Sequence, residues 1–126
     1  MEVYIGGYAQ GKLAYVKQVH QGEDLCVVDD CFNLSQEQAG RLVLYGMHRM
    51  IRELLELERD PQTFFEEVFD QYPNCIVICD EVGNGVVPVD QKEREYRDKV
   101  GEILILAAEK ADRVERVICG LGQRIK

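Results

Sequence analysis

Three short stretches of this chain carry residue types and spacings suited to phosphate chemistry. The first, Gly6-Gly7-Tyr8-Ala9-Gln10-Gly11-Lys12-Leu13, fits G-x-x-x-x-G-K. Glycines let a chain curl so that successive backbone N–H groups point at phosphate oxygens. A helix starting at the end of the curl adds its partial positive charge, and the lysine reaches the outer phosphates. The position after the lysine ordinarily bears a Ser or Thr hydroxyl that ligates Mg²⁺; here it is Leu13, which weakens metal binding and leaves the backbone cradle intact. The other two stretches are LCVVDD, ending in Asp29 and Asp30, and CIVICDE, ending in Asp80 and Glu81. A carboxylate at the end of a strand beside such a loop is where a phosphoryl-transfer enzyme holds Mg²⁺ or its water. Acids also end strands simply to start turns and cap helices. The strand-end acids Asp29, Asp30, Asp80 and Glu81 are therefore candidates to hold Mg²⁺ or its water beside Lys12, and residues 6–13 are the candidate nucleotide-binding turn.

The elements that must position these residues alternate in type. Residues 3–5 read as a short strand stopping at Gly6-Gly7, 12–19 as a brief helix closed by Gly22, and 25–28 as a second strand. Ser35 and Gln38 form an S-x-x-Q capping box, which predicts a long helix to about Arg59 with Leu42, Val43, Met47, Met50, Ile51, Leu54 and Leu55 on one face. The pairs Arg49–Glu53 and Arg52–Glu56 then lie at i,i+4 on its solvent side. Asp60-Pro61 starts another helix, carrying Phe64, Phe65, Val68 and Phe69. Residues 75–79 (CIVIC) are an uninterrupted apolar strand, as expected where both sheet faces are covered. A loop with Gly83, Gly85 and Pro88 follows, then a helix capped by Asp90 and Glu93 running to about Ala111, and a last strand over 113–119 ending in Gly120-Leu121-Gly122. The alternation predicts one α/β domain over 1–126 with a small, mostly parallel sheet wrapped by helices, every strand-to-helix loop on the same edge. Residues 103–108 (ILILAA) are apolar around the whole helix circumference. That helix is therefore either sandwiched inside the domain or in contact with another subunit, and the oligomer contact is the preferred reading.

Composition narrows the partners. A chain of 126 residues with 46% hydrophobic and 30% charged residues can bury one ordinary core. Its net charge of -8 argues against nucleic acid, which is bound by clustered Lys and Arg, whereas a nucleotide needs only a local positive pocket. No apolar run approaches the ~18 residues of a membrane span, and the first residues lack the basic and apolar regions of a signal peptide, so a cytoplasmic location is expected. The five cysteines form no C-x-x-C pair and read as buried reduced thiols. His20 reads as an exposed helix-end residue.

Beyond these general features, Glu81-Val82-Gly83-Asn84-Gly85-Val86-Val87-Pro88 resembles the N-E-V-G-x-G-[IV]-V-P signature of the bifunctional adenosylcobinamide kinase/adenosylcobinamide-phosphate guanylyltransferase family. Tyr96-Arg97-Asp98 with Gly101 is similar to that family's F-R-D-x-x-G. Ala111-Asp112-Arg113-Val114, Gly120-Leu121-Gly122 and Ile125-Lys126 are similar to its closing A-D-x-V, G-x-[GP] and I-K. Asp30-Cys31 with Leu34 resembles its D-C-[LI]-T, and residues 6–12 its G-G-x-R-S-G-K-S. The resemblance implies a three-layer, RecA-like P-loop NTPase fold and a role in assembling the nucleotide loop of cobalamin. ATP or GTP phosphorylates the aminopropanol hydroxyl of adenosylcobinamide, and GMP is then transferred through a guanylyl-histidine. It also implies that Lys12 holds phosphates, that Asp30 organises Mg²⁺, that Glu81 orients the nucleophile or the guanosine, and that the chain is a trimer.

Departures cluster near the loop. Only 17 residues separate Lys12 from Asp30, and the H-x-x-R run that carries the guanylylated histidine is missing from them. Leu13 replaces the hydroxyl, Gln10 stands where the pattern has Ser, Ala9 where it has Arg, and Asp80 where it is neutral. Guanylyl transfer by that route therefore looks lost. Two readings remain: a trimmed kinase, or a non-catalytic binder of nucleotide or corrinoid.

Overall fold

A computed structural model describes residues 1–35, 39–82 and 90–126. The described chain runs β1 (Glu2–Gly6), α1 (Lys12–Val19), β2 (Leu25–Val28), a 3₁₀ turn (Asn33–Ser35), β3 (Arg41–Tyr45), α2 (Met47–Glu56), α3 (Pro61–Gln71), β4 (Ile76–Asp80), α4 (Gln91–Lys110), β5 (Arg113–Ile118) and β6 (Leu121–Arg124). The strands form one six-stranded sheet in the order β2-β3-β4-β1-β5-β6. All neighbouring pairs are parallel except β5 and β6. The fold is the expected α/β class with a mostly parallel sheet, consistent with a P-loop NTPase arrangement.

Alternating side chains divide the sheet into two faces. Val3, Leu42, Leu44, Val77 and Cys79 point into the larger core with Met50, Ile51 and Leu54 of α2, Phe65 and Phe69 of α3, and Ile103 and Ala107 of α4. Tyr4, Val43, Ile76, Ile78 and Val117 point the other way, against Val16 of α1. The chain therefore leaves β1 for one face and β4, its neighbour, for the other. A crevice opens between adjacent strands whose connections depart in this way, at their carboxyl ends.

The structure corrects the expected long helix. Its first half is β3, and α2 begins only at Met47. Leu42, Val43 and Leu44 are all buried, which a central strand covered on both faces demands and an amphipathic helix does not. Gly40 and Gly46 bracket the strand at φ 91° and 85°, a conformation that favours glycine and interrupts a helix. Of the supposed capping box, Gln38 lies outside the described residues. The helical stripe survives from Met47 onward as Met47, Met50, Ile51 and Leu54. Among the described residues neither i,i+4 pair forms. Arg52 instead meets Glu93 at 2.7 Å and lies over the Tyr96 ring, tying α2 to α4, while Arg49 sits over Tyr45. The Asp60 and Asp90 caps are as expected, each carboxylate accepting from an N–H two residues on. The loop with Gly83, Gly85 and Pro88 lies outside the described residues.

At the other end, the sequence Ile118-Cys119-Gly120-Leu121 turns back on itself. Cys119 and Gly120 take φ 52° and 74°, the two left-handed residues of a tight hairpin turn, and β6 follows in place of an open tail. Cys31, Cys75 and Cys79 are buried, Cys26 is half-buried and Cys119 is exposed, so the buried-thiol reading fails for Cys119. Burial pushes the thiols of Cys31 and Cys79 up to about 12 and that of Cys75 to about 11, which keeps them protonated. Ile103 and Ala107 are buried, whereas Ile105 on the outer side of α4 is 62% exposed.

His20 is buried, not exposed. Its Nδ1 meets the Val16 carbonyl and its Nε2 the Glu2 carboxylate, which also accepts from Tyr4 and from Arg41 at 2.7 Å. Burial alone would raise the Glu2 acid, but these donors outweigh it and hold Glu2 at about 2. A carboxylate depressed from 4.5 to about 2 stabilises the fold above pH ~4.5, and that contribution, about 3 kcal/mol, is lost as pH falls toward ~2. Glu2→Gln should remove most of the acid dependence between about pH 5 and 2 in urea denaturation.

Candidate functional site

The turn after β1 starts with a steric requirement. A Cβ on Gly6 would overlap the carbonyl oxygen of Val117 on β5, so only glycine lets the chain leave the sheet here. Ala9 at φ 57° and Gly11 at φ 81° then curl the backbone into the start of α1. Among the described residues, no protein acceptor takes the amides of Tyr8, Ala9, Gly11 and Lys12, while Gln10 closes a turn back toward Gly7. The opening of α1 therefore presents free donors, as an anion cradle must.

Lys12 reaches back across this curl. Its side chain is 7% exposed, and its Nζ donates to the Gly7 carbonyl at 2.7 Å and pairs with Asp80 Oδ1 at 2.7 Å. Register explains the meeting: β1 and β4 are parallel neighbours with Gly6 opposite Asp80, so the loop from one strand and the terminal acid of the other share an edge. Asp80 is in turn gripped by His48, the second residue of α2. His48 Nδ1 accepts the N–H of Asp80 at 3.1 Å, and Nε2 lies 3.4 Å from Asp80 Oδ2. An Nδ1 that accepts must be unprotonated. Accordingly, burial first, with Arg49, Lys12 and Arg52 nearby, lowers the His48 pKa against the opposing pull of Asp80. His48 is thus a neutral imidazole with its proton on the nitrogen facing the carboxylate. The cleft around these groups measures about 430 Å³ and is lined by residues 8–14 with Tyr45, Gly46, His48, Arg49, Ile78 and Asp80. Tyr8, at its rim, is 87% exposed.

The remaining sequence-derived candidates lie elsewhere. Glu81 follows Asp80, and its side chain departs in the other direction, so its carboxylate meets Arg116 of β5 at 2.9 and 3.1 Å; its backbone N–H donates to Gly6 O. It borders a neighbouring depression with Val82, Arg97 and Arg116. Asp30 lies just beyond edge strand β2, three strand spacings from β1, or roughly 14 Å. Its two oxygens accept from the backbone and side-chain N–H groups of Asn33. The structure therefore brings Lys12 and Asp80 together, sets Glu81 beside them behind Arg116, and leaves Asp30 outside the cleft. Leu13 lines the cleft and packs against the smaller core. His48 is not among the sequence-derived candidates, because the apolar spacing around it reads as the middle of a long helix. The signal was Gly46, which ends a strand at the same edge as the phosphate loop.

Among the described residues, no cluster of three His, Cys, Asp or Glu side chains could hold a metal ion by itself, and no helix is long and apolar enough to cross a membrane. Asp80 offers one hard oxygen donor at the loop mouth. That fits Mg²⁺ arriving with a nucleotide, where phosphates and water supply the other ligands, and does not fit a resident ion.

The model of the cobinamide kinase / cobinamide phosphate guanyltransferase family matches residues 8–125, nearly the whole chain, and the protein belongs to that family. No curated protein sequence matches it.

If the Lys12–Asp80 pair is what organises the cleft, breaking it should be costly. Asp80→Asn strands a buried ammonium and is expected to destabilise the fold by about 3 kcal/mol. Lys12→Met combined with Asp80→Asn should cost clearly less than the sum of the two single changes in a denaturation double-mutant cycle.

Proposed function

From this family membership we propose that the cleft holds the phosphates of ATP or GTP and that the chain phosphorylates adenosylcobinamide in assembly of the cobalamin nucleotide loop. The single observation that supports it most is the set of free amides at Tyr8, Ala9, Gly11 and Lys12 beside the Lys12 ammonium at the carboxyl edge of a parallel sheet. The outer phosphates would lie along those amides, and Lys12 would exchange its contact with Asp80 for one with a phosphate oxygen. The acceptor hydroxyl then attacks the terminal phosphorus, the bond from that phosphorus to the bridging oxygen breaks, and the nucleoside diphosphate leaves. Asp80, released from Lys12 and still held by His48, would be left facing the phosphates, and the hydroxyl proton would pass to a phosphate oxygen or to water. Mg²⁺, when bound with the nucleotide, would offset phosphate charge, with Asp80 as its protein ligand and Asp30 too distant to serve.

Guanylyl transfer is assigned no residue here. The H-x-x-R run is missing, and both nitrogens of His48 face Asp80, leaving neither free to attack a phosphate. The exposed Ile105, flanked by half-buried Leu104 and Leu106, supports self-association through α4. A second reading, a nucleotide or corrinoid binder without chemistry, is favoured by Leu13 and by the neutralisation of Lys12 by Asp80.

Titration calorimetry with ATP, GTP and GDP, with and without Mg²⁺, separates these readings. Wild type should bind a nucleoside triphosphate, Lys12→Ala should weaken it at least tenfold, and adenosylcobinamide should stimulate release of the nucleoside diphosphate. Binding without such release points to the non-catalytic reading. No nucleotide binding by the wild type rejects both.

A further inference from the structure

Gln10 was expected only as one more residue of the phosphate-binding turn, at a position where the family pattern has Ser. In the fold it does something more specific. Its side-chain Oε1 accepts the N–H of Cys119 at 2.7 Å, and its backbone carbonyl accepts the N–H of Gly120 at 2.9 Å. Both donors belong to the hairpin turn between β5 and β6. One residue at the crown of the phosphate loop thus satisfies both amides of a two-residue turn more than 100 positions away in sequence.

Contacts from three further residues make this a seam. Gly11, the left-handed residue that starts α1, passes so close to the hairpin that a Cβ on it would sit 3.5 Å from Gly120 Cα. Gly6, at the base of the loop, is covered by the Val117 carbonyl. Behind the loop, Tyr15 of α1 lies against Gly122 of β6, where a Cβ would overlap the phenol, and donates to buried Glu115 of β5 at 2.6 Å. The beginning, crown and end of the phosphate loop and the helix after it all rest on β5 and β6.

The loop itself has little to hold its shape. Lys12 Nζ braces the Gly7 carbonyl across it, but the amides of Tyr8, Ala9, Gly11 and Lys12 find no protein acceptor among the described residues, and Ala9 is a non-glycine residue at φ 57°. An open curl with a strained residue and free donors keeps its shape only if something outside it fixes the crown. We infer that Gln10 is a positioning residue: by clasping the turn of Cys119 and Gly120 it holds the loop in its anion-binding curl, so that nucleotide affinity depends on the β5–β6 hairpin. This rests on the reading of the cleft as a nucleotide site.

The test uses reciprocity. If the clasp favours binding by some factor, bound nucleotide must favour the clasp by the same factor. Hydrogen–deuterium exchange of the Cys119 and Gly120 amides in the wild type should slow about tenfold at saturating ATP with Mg²⁺. Gln10→Met keeps the side-chain length and removes the acceptor. It should raise the Kd for ATP about tenfold, leave the thermal midpoint nearly unchanged, and abolish the ATP-dependent protection of Cys119. A merely structural role would lower the midpoint without linking ATP to that amide. The exchange measurement needs no variant, so it stands even if Gln10→Met fails to fold. Unchanged exchange in wild type that does bind ATP, or wild-type affinity in Gln10→Met, overturns the inference alone. Wild type that binds no nucleotide overturns the inference together with the reading of the cleft.

Discussion

Parallel pairing of β1 with β4 is the constraint from which the rest of the site follows. With Gly6 in register with Asp80, the first strand's loop and the fourth strand's acid emerge side by side, and the hydrogen-bonded spacing of about 4.8 Å brings a lysine and a carboxylate within reach. Because the chain leaves the two strands toward opposite faces, neither α1 nor α4 closes over that point. An open edge, a cationic side chain and free helix-start amides thus come together through backbone topology, before any side chain is chosen for chemistry. β3 then supplies the third wall. It pairs with β4 on the side away from β1 and delivers Gly46 and His48 to the same edge.

Within that frame, Lys12 and Asp80 are each other's first partners. Two charges this close and this little exposed have been taken largely out of water, and they are tolerable because each has further hydrogen bonds, Lys12 to Gly7 O and Asp80 to His48. The neutral state of His48 belongs to the same balance. A further positive charge beside Lys12, Arg49 and Arg52 would be costly, and an uncharged ring accepts the Asp80 N–H while turning its own N–H to the carboxylate. With Lys12 matched by Asp80 and His48 neutral, Arg49 leaves the resting cleft with one net positive charge, in a chain of net charge -8. Lys12 is already engaged by an internal carboxylate, which sets this loop apart from one whose lysine waits uncompensated.

Much of this was legible in the sequence, and the failures have physical causes. The glycines of the first loop, the apolar CIVIC strand and the Asp60-Pro61 and Asp90 caps are local signals, and local signals decided those elements. β3 was misread because RLVLY followed by an amphipathic helix supplies continuous apolar spacing across the junction, and only the left-handed glycines at 40 and 46 mark the break. β6 was missed because a strand of four exposed residues has no burial pattern to read and exists through its pairing with β5. At the site, spacing identified both acidic strand ends but could not rank them. Strand order decides that, and it puts β2 at the edge and β4 beside the loop. His48 and the partnership of Gln10 with the hairpin depend on contacts more than 30 and more than 100 positions apart, and periodicity does not report such contacts.

The departures from the family pattern around the loop are connected through space. Leu13 occupies the position of the missing hydroxyl, and its half-buried side chain packs against the smaller core from a helix of only eight residues. A short helix covering a wide sheet face gains more from an apolar anchor there than a longer one would, because each buried methylene contributes about 0.8 kcal/mol. Asp80 then places a carboxylate on the other side of Lys12, at the same cleft that lost the hydroxyl. Gln10 adds the link from the loop to the hairpin. The oxygen donor beside Lys12 thus sits on the neighbouring strand and not on the helix that follows the lysine, and the loop's crown rests on the turn between β5 and β6. The order of the strands allows both contacts, since β4 and β5 are the two neighbours of β1.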